Sequence, residues 1–219
     1  MKRRFFVTAI INALLMISSY EAKAQTKQSA DLPKYEVGVD FSSLSIRYGP
    51  TLPGLGGRFA YNLNEHVALE AAGYFFPGKC DTCPGEITGH VTEGLFGVKM
   101  GKRFKKWGVF GKARPGFMSL SKGAVDFLPT GAGSVYPYRV DVHSLTNFAM
   151  DLGGVLEFYP SKRIVLRFDG GDTIIHYARR TANYPFQDPN TGALTLAPFT
   201  IPGYTRHSIQ FIGGVGFRF

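Results

Sequence analysis

From Phe148 to Tyr159 the residues Phe148, Met150, Leu152, Gly154, Leu156 and Phe158 fall on one side of an extended strand. Ala149, Asp151, Gly153, Val155, Glu157 and Tyr159 fall on the other. One face is apolar without interruption, and its opposite carries two carboxylates. This period of two recurs along the chain, whereas no stretch sustains a 3.6-residue apolar repeat. The pattern predicts eight strands, near 35–47, 54–63, 66–77, 87–101, 107–120, 146–159, 163–176 and 204–219. Several reach or exceed the ~9–11 residues that a tilted strand needs to cross a bilayer.

The connections alternate as well. "LNE" (63–65), "KRFKK" (102–106) and "PSKR" (160–163) are short, while 78–86, 121–145 and 177–203 are long and rich in Gly, Pro, Ser and Thr. The link around Gly49 to Pro53 is brief although it lies on the long side. Short turns at one end and long loops at the other are the organisation of a closed antiparallel up-and-down transmembrane β-barrel, all-β, with both termini at the short-turn end. An even strand count follows.

Assigning the uncharged face of each strand to lipid turns Glu36, Asp40, Arg58, Glu70, Glu93, Lys99, Lys112, Arg114, Asp151, Glu157, Arg167, Asp169 and Arg218 inward. Lys or Arg on a lipid face at mid-bilayer costs roughly 2–4 kcal/mol, so lipid around the barrel demands this segregation. Inside, the seven acids and six bases can pair, and the interior reads as a packed polar lumen. Asp172 is the misfit, falling on the lipid face unless Gly170-Gly171 carries a bulge; it is expected in the outer headgroup zone, because Thr173 to Tyr177 leads straight into a long loop.

Aromatic residues gather near predicted strand ends. Tyr35, Tyr61, Phe104, Trp107, Phe158, Tyr159, Phe217 and Phe219 lie toward the short turns, and Tyr48, Phe75, Phe117, Tyr177 and Tyr204 toward the loops. Amphipathic rings favour the headgroup region, so two girdles are expected.

The first residues alter what is counted. Met1-Lys2-Arg3-Arg4, an apolar run from Phe5 to Ile17 and Ala22-Lys23-Ala24 read as a cleaved signal peptide over 1–24. A short periplasmic segment, 25–34, and the barrel, 35–219, follow. Removal of 1–24 lowers the formal charge from +9 to about +6. The remaining Lys and Arg are dispersed along the sequence, and a nucleic-acid face is not expected. In an exported chain Cys80 and Cys83 of "CDTCPG" read as a local disulfide, and two thiols do not make a structural zinc site.

No catalytic constellation is found in the sequence. His207 and Ser208 are adjacent and so face opposite sides of a strand, and His90-x-Thr92 lacks a serine. Neither a metal site nor a cofactor is expected. Eight strands enclose a lumen only just wide enough for side chains, which disfavours a broad channel. The long loops are the expected functional surface. They carry Tyr136, Tyr138 and Arg139 in one, and Arg179, Arg180, Tyr184 and Phe186 in the other; "PNTGA", 189–193, reads as a turn. Arg139, Arg179 and Arg180 are candidates for lipopolysaccharide phosphates at the rim.

Taken together, the chain resembles the small eight-stranded outer-membrane β-barrels of the OmpA-like and OmpX-like class. The most specific element is "GGVGFRF" at 213–219, preceded by apolar residues at alternate positions: Ile209, Phe211, Gly213, Val215, Phe217 and Phe219. The resemblance implies that Gly214, Phe217 and Phe219 form the signal read by the barrel assembly machinery, although Ile212 stands where such signals often place a polar residue. It implies a monomer in the bacterial outer membrane, in contact with lipopolysaccharide, with a structural or surface-binding role. A small passive pore and a lipid-modifying enzyme are the alternatives; a soluble lipocalin-like barrel in the periplasm is disfavoured by the strand lengths, the asymmetry of turns and loops, and the terminus.

Overall fold

A computed structural model describes residues 33–46, 51–77, 89–131, 137–190 and 192–219. The segment read as a signal peptide, residues 25–32, Cys80, Cys83, Tyr48 and Tyr136 lie outside the described residues. Among the described residues ten strands are formed: β1 (Tyr35–Ile46), β2 (Thr51–Asn62), β3 (Val67–Phe76), β4 (Val91–Arg103), β5 (Trp107–Pro129), β6 (Tyr138–Phe158), β7 (Ile164–Tyr177), β8 (Arg180–Gln187), β9 (Leu194–Ile201) and β10 (Tyr204–Arg218). Eight of them close a barrel in the order β1-β10-β7-β6-β5-β4-β3-β2, and β8 and β9 make a separate two-stranded sheet. Every pairing is antiparallel.

The two longest expected loops are largely hairpin. β5 and β6 continue past the barrel as a paired ladder, from Ala124 opposite His143 to Pro129 opposite Tyr138. Alternation in "AVDFLP" and "YRVDVH" is short and mixed in polarity, which is why the loop composition dominated the reading there. Where the hairpin leaves the barrel the register shifts between Leu120 and Ala124, so that three residues of β5 face Ser144 alone. Such a bulge bends a strand and sharpens its twist. The other long loop holds β8 and β9, joined by a tight turn in which Gly192 donates its N–H to the Asp188 carbonyl at 2.8 Å with φ at +70°.

Register fixes the size of the cylinder. Following paired residues once around, Val165 leads to Gly216, Gly38, Arg58, Ala72, Leu95, Gly116 and Ala149, and the path returns to β7 at Ile175. The stagger from Val165 to Ile175 is ten residues. With ~3.3 Å rise per residue and ~4.8 Å between strands, a ten-residue stagger over eight strands gives a tilt of about 40° and a wall radius near ~8 Å. Side chains alone can fill a tube of that width.

The barrel is inside-out. Val39, Phe41, Leu55, Phe96, Phe117, Leu156, Phe168, Phe211 and Val215 are exposed on its outer wall, while the thirteen charged residues named above are all buried within. On the outer wall three rings lie beside glycines that have no side chain of their own: Phe117 at Gly94, Phe211 at Gly170 and Phe168 at Gly213. Near the short turns Tyr35 packs with Phe59, Tyr61 and Phe219 at ring separations of 5.4–6.1 Å, and Phe104 stacks on Trp107 at 4.2 Å. Three expected girdle residues turn the other way: Tyr159, Tyr177 and Tyr204 point inward, Tyr159 and Tyr177 being buried. Each is paired with a lumen group described below, which outweighs the interfacial preference of its ring.

Candidate functional site

The lumen holds a continuous ionic layer. Arg167, on β7, lies between two carboxylates: it donates from Nη2 to Glu70 Oε2 at 2.9 Å, with Nη1 also on Glu70, and from Nε to Asp169 Oδ1 at 2.6 Å. Lys112 bridges Asp169 Oδ2 at 3.2 Å and Asp151 Oδ2 at 2.9 Å. Arg114 donates from Nε to Asp151 Oδ2 at 2.9 Å and lies 3.6 Å from Glu70. Lys99 joins Glu70, at 3.2 Å, to Glu157, and sits 4.8 Å over the Phe110 ring. Five strands therefore share one network. The low dielectric makes each charge costly when alone, and the mutual pairing offsets that cost.

A second group lies at the seam between β1 and its neighbours. The Arg58 guanidinium reaches Glu36 Oε1 at 3.2 Å and also pairs with Asp40. Glycine creates the space: a Cβ at Gly38 would stand 2.8 Å from Arg58 Cζ, and one at Gly216 would stand 2.9 Å from Arg58 Nη2. A Cβ at Gly214 would likewise strike the Asp40 carboxylate. Gly214, read from the sequence as part of the assembly signal, thus also has a packing role in the finished barrel.

Toward the short turns Tyr159 donates its hydroxyl to Glu157 at 2.7 Å and accepts from Arg103 Nε at 3.0 Å, while the Arg103 Nη2 reaches Asn62. Arg218 lies 4.2 Å over the Tyr159 ring and donates to the Ser161 carbonyl.

Toward the loops the chemistry changes. Glu93 is buried and accepts a hydrogen bond from Gln210 Nε2 at 2.8 Å; that amide also reaches Ser42, and Thr173 donates to Gln210 Oε1 at 2.7 Å. Among the described residues Glu93 has no salt bridge and its Oε1 has no hydrogen-bond partner. Beyond it an apolar cluster takes side chains from all eight barrel strands, including Leu44, Leu52, Phe76, Val91, Met118, Ala149, Ile175 and Ile212, with Tyr177 and the adjoining Tyr204 stacked at 4.7 Å. The packed polar lumen expected from the charges is therefore polar at its short-turn end and in its middle, and apolar under the loops. Charge was the signal read from the sequence, and an apolar inward residue near a strand end gives none.

At the loop end the two hairpins touch. Asn183 donates its backbone N–H to Asp126 Oδ1 at 2.7 Å, and Phe127 meets Tyr138 edge-on at 5.4 Å and Tyr184 at 5.5 Å. A cavity of about 360 Å³ lies between them, lined by Pro129, Pro137, Tyr138, Asn183, Leu194 and Leu196. Arg139 is exposed on β6, Arg179 is exposed just before β8, and Arg180 is half-buried at its start. No hydrogen bond or ion pair of these three guanidinium groups occurs among the described residues.

Phe217 and Phe219 are exposed on the outer wall and their rings lie 6.2 Å apart. Phe219 and Tyr35 exchange both backbone hydrogen bonds, at 2.9 and 3.0 Å. His207 faces outward and Ser208 is buried on the opposite face, so the two are not a nucleophile and its base. No group of three or more His, Cys, Asp or Glu side chains is placed to hold a metal ion among the described residues.

Closed strand pairing, a largely apolar outer wall and a buried ionic interior define an integral β-barrel of the outer-membrane type, since a bilayer admits strands only when no edge is left unpaired. Solved structures of that type resemble the chain. Ail, the attachment invasion locus protein of Yersinia pestis, aligns over 84% of this chain and 96% of its own with 10% identity and a TM-score of 0.46. Neisserial surface protein A aligns over the same shares with 11% identity and a TM-score of 0.46. The outer membrane protein OprG of Pseudomonas aeruginosa covers 87% of this chain and 98% of its own with 8% identity and a TM-score of 0.45. No family model matches the sequence, and no curated protein matches it.

Proposed function

We propose that the protein works in the bacterial outer membrane as a structural or surface-binding barrel, through the hairpins at its loop end. The observation that supports this most is the filling of the lumen: an ionic layer shared among five strands lies below an apolar cluster to which all eight contribute. A tube of that kind serves as a rigid base for what it carries at its rim. The hairpins present Val140, Val142, Phe186, Leu194 and Phe199 to solvent. Arg139, Arg179 and Arg180 are assigned to lipopolysaccharide phosphates, and Gly214, Phe217 and Phe219 to recognition by the assembly machinery. The barrel acts as a monomer, without enzymatic activity.

Reconstitution into planar bilayers separates this from a passive pore: the proposal expects no discrete conductance steps, and reproducible steps would replace it. Deleting residues 181–200, which takes out most of β8 and β9, is expected to leave insertion intact and to abolish whatever cell-surface binding the full chain shows. Unchanged lipid A on overexpression is the expected result for a barrel that is not a lipid-modifying enzyme.

A further inference from the structure

The short-turn rim has a charge distribution that the lumen does not explain. Lys34, Lys102, Lys105, Lys106, Lys162 and Arg163 are all exposed there, and Glu65 is the one exposed acidic side chain on this rim among the described residues. Glu36 and Glu157, the acids nearest in the fold, are buried in the lumen. The loop end is mixed by contrast, with Asp126, Asp141 and Asp188 among its Lys and Arg residues. Five of the six cations form an arc. The β4–β5 and β6–β7 turns adjoin, Tyr159 donating its N–H to the Lys106 carbonyl at 2.8 Å, and the arc is carried on to β10 by the N–H of Arg218 on the Arg163 carbonyl at 2.8 Å. Both turns are held rigidly: Phe104 N–H bonds the Trp107 carbonyl at 2.7 Å, and Ser161 Oγ accepts from the backbone of Arg163 and Ile164.

The arc lies at a definite depth. Lys102 Nζ is 5.6 Å over the ring of Phe104, which stacks on Trp107 in the aromatic girdle. Rings of that girdle mark the boundary between acyl chains and headgroups. Ammonium groups at this level meet phosphates, and each Lys or Arg near an anionic lipid surface favours association.

We infer that the arc formed by Lys102, Lys105, Lys106, Lys162 and Arg163 is a binding surface for anionic phospholipid headgroups in the leaflet that surrounds the short-turn end. This rests on the membrane-barrel reading. The surface recruits phosphatidylglycerol-type lipids over zwitterionic ones, and it fixes the depth of the barrel from below.

The test uses the full chain in vesicles of phosphatidylethanolamine with phosphatidylglycerol, with association of spin-labelled phosphatidylglycerol and phosphatidylcholine measured side by side. Insertion is scored in the same samples by heat-modifiable electrophoretic mobility. Selectivity for the anionic lipid of roughly threefold or more is expected, falling toward unity in 0.5 M salt and in a variant carrying K102Q, K105Q, K106Q, K162Q and R163Q. A variant with Arg139, Arg179 and Arg180 changed to Gln keeps the selectivity. Inserted protein with equal association of the two lipids, or selectivity that survives in the five-site variant, overturns the inference and leaves the barrel standing. Absence of insertion overturns both. Sedimentation with isolated peptidoglycan that the five-site variant loses, without lipid selectivity, assigns the arc to that polymer instead.

Discussion

His207 Nδ1 lies 2.6 Å from Asp172 Oδ2 on the outside of the barrel. The two are diagonal neighbours on β10 and β7, Asp172 standing opposite Ile209 and His207 opposite Ile174. β7 keeps one register with both partners through Gly170 and Gly171, so no bulge turns Asp172 inward, and the outward carboxylate is met by a ring instead. His207→Ala leaves Asp172 alone against the membrane and is expected to cost about 1 kcal/mol of unfolding free energy in vesicles. The double variant with Asp172→Asn recovers most of it. Equal stability of the single variant and the parent protein would remove the pair from the account.

Arg167 is the hub of the ionic layer. Arg167→Met leaves Glu70 to Lys99 and Arg114 and Asp169 to Lys112, so that the buried layer is one cation short, and is expected to destabilise the barrel by about 3–5 kcal/mol, read from urea unfolding in detergent or vesicles. The matching change at Glu70, to Gln, has a smaller effect, because Arg167 retains Asp169. A loss below 1 kcal/mol for Arg167→Met would show that water reaches the network.

Glu93 differs from its neighbours. Lacking a cation partner among the described residues, it is held by Gln210 alone, so Glu93→Gln is expected to be neutral or stabilising within about 1 kcal/mol. Gln210→Leu has the opposite sign, about 1–3 kcal/mol destabilising, because it leaves polar atoms of Glu93, Ser42 and Thr173 unpartnered. Thermal unfolding of both variants in one detergent decides the matter; a severe loss for Glu93→Gln would mean that its charge is needed.

Removing Phe219 separates assembly from stability. The deletion takes away one ring of the Tyr35 cluster and the last backbone pair of the seam, a modest change to a folded barrel. Its outer-membrane level in cells is expected to fall several-fold, while protein refolded in detergent loses only a few degrees of thermal stability. Normal levels in the membrane would contradict the assignment of Phe219 to the assembly signal.

Much of the barrel was legible because period two has a direct physical meaning: a residue such as Arg114 or Asp151 sits inward because its neighbours Ala113 and Leu152 sit outward. Three things were not legible. The extent of β5 and β6 beyond the membrane was hidden by loop-like composition, since a ladder outside the bilayer needs no apolar face. The partners that hold Tyr159 and Tyr177 inward, Arg103 for the one and Tyr204 for the other, are distant in sequence, although alternation alone sets Tyr159 on the face of Glu157. His207 has Ser208 beside it in the sequence, whereas its partner is Asp172, brought beside it only by the register of β7 and β10. Alternation gives each residue a face, and only strand pairing gives it a neighbour.

The seam between β1 and β10 sets a kinetic order. Glu36 stands opposite Arg218, so the pairing that closes the cylinder joins nearly the full length of the described chain, whereas β2–β3, β4–β5 and β6–β7 are joined by short turns. Loop closure on that scale costs about 3 kcal/mol more than closing a tight turn, and the contact is formed late for the same reason. Until then the sheet has two raw edges, β1 and β10, each with free N–H and C=O groups available to any other strand. The interval between synthesis and closure is therefore the period of greatest exposure to aggregation, and holding those two edges apart from strangers and then together is the task left to whatever inserts the protein.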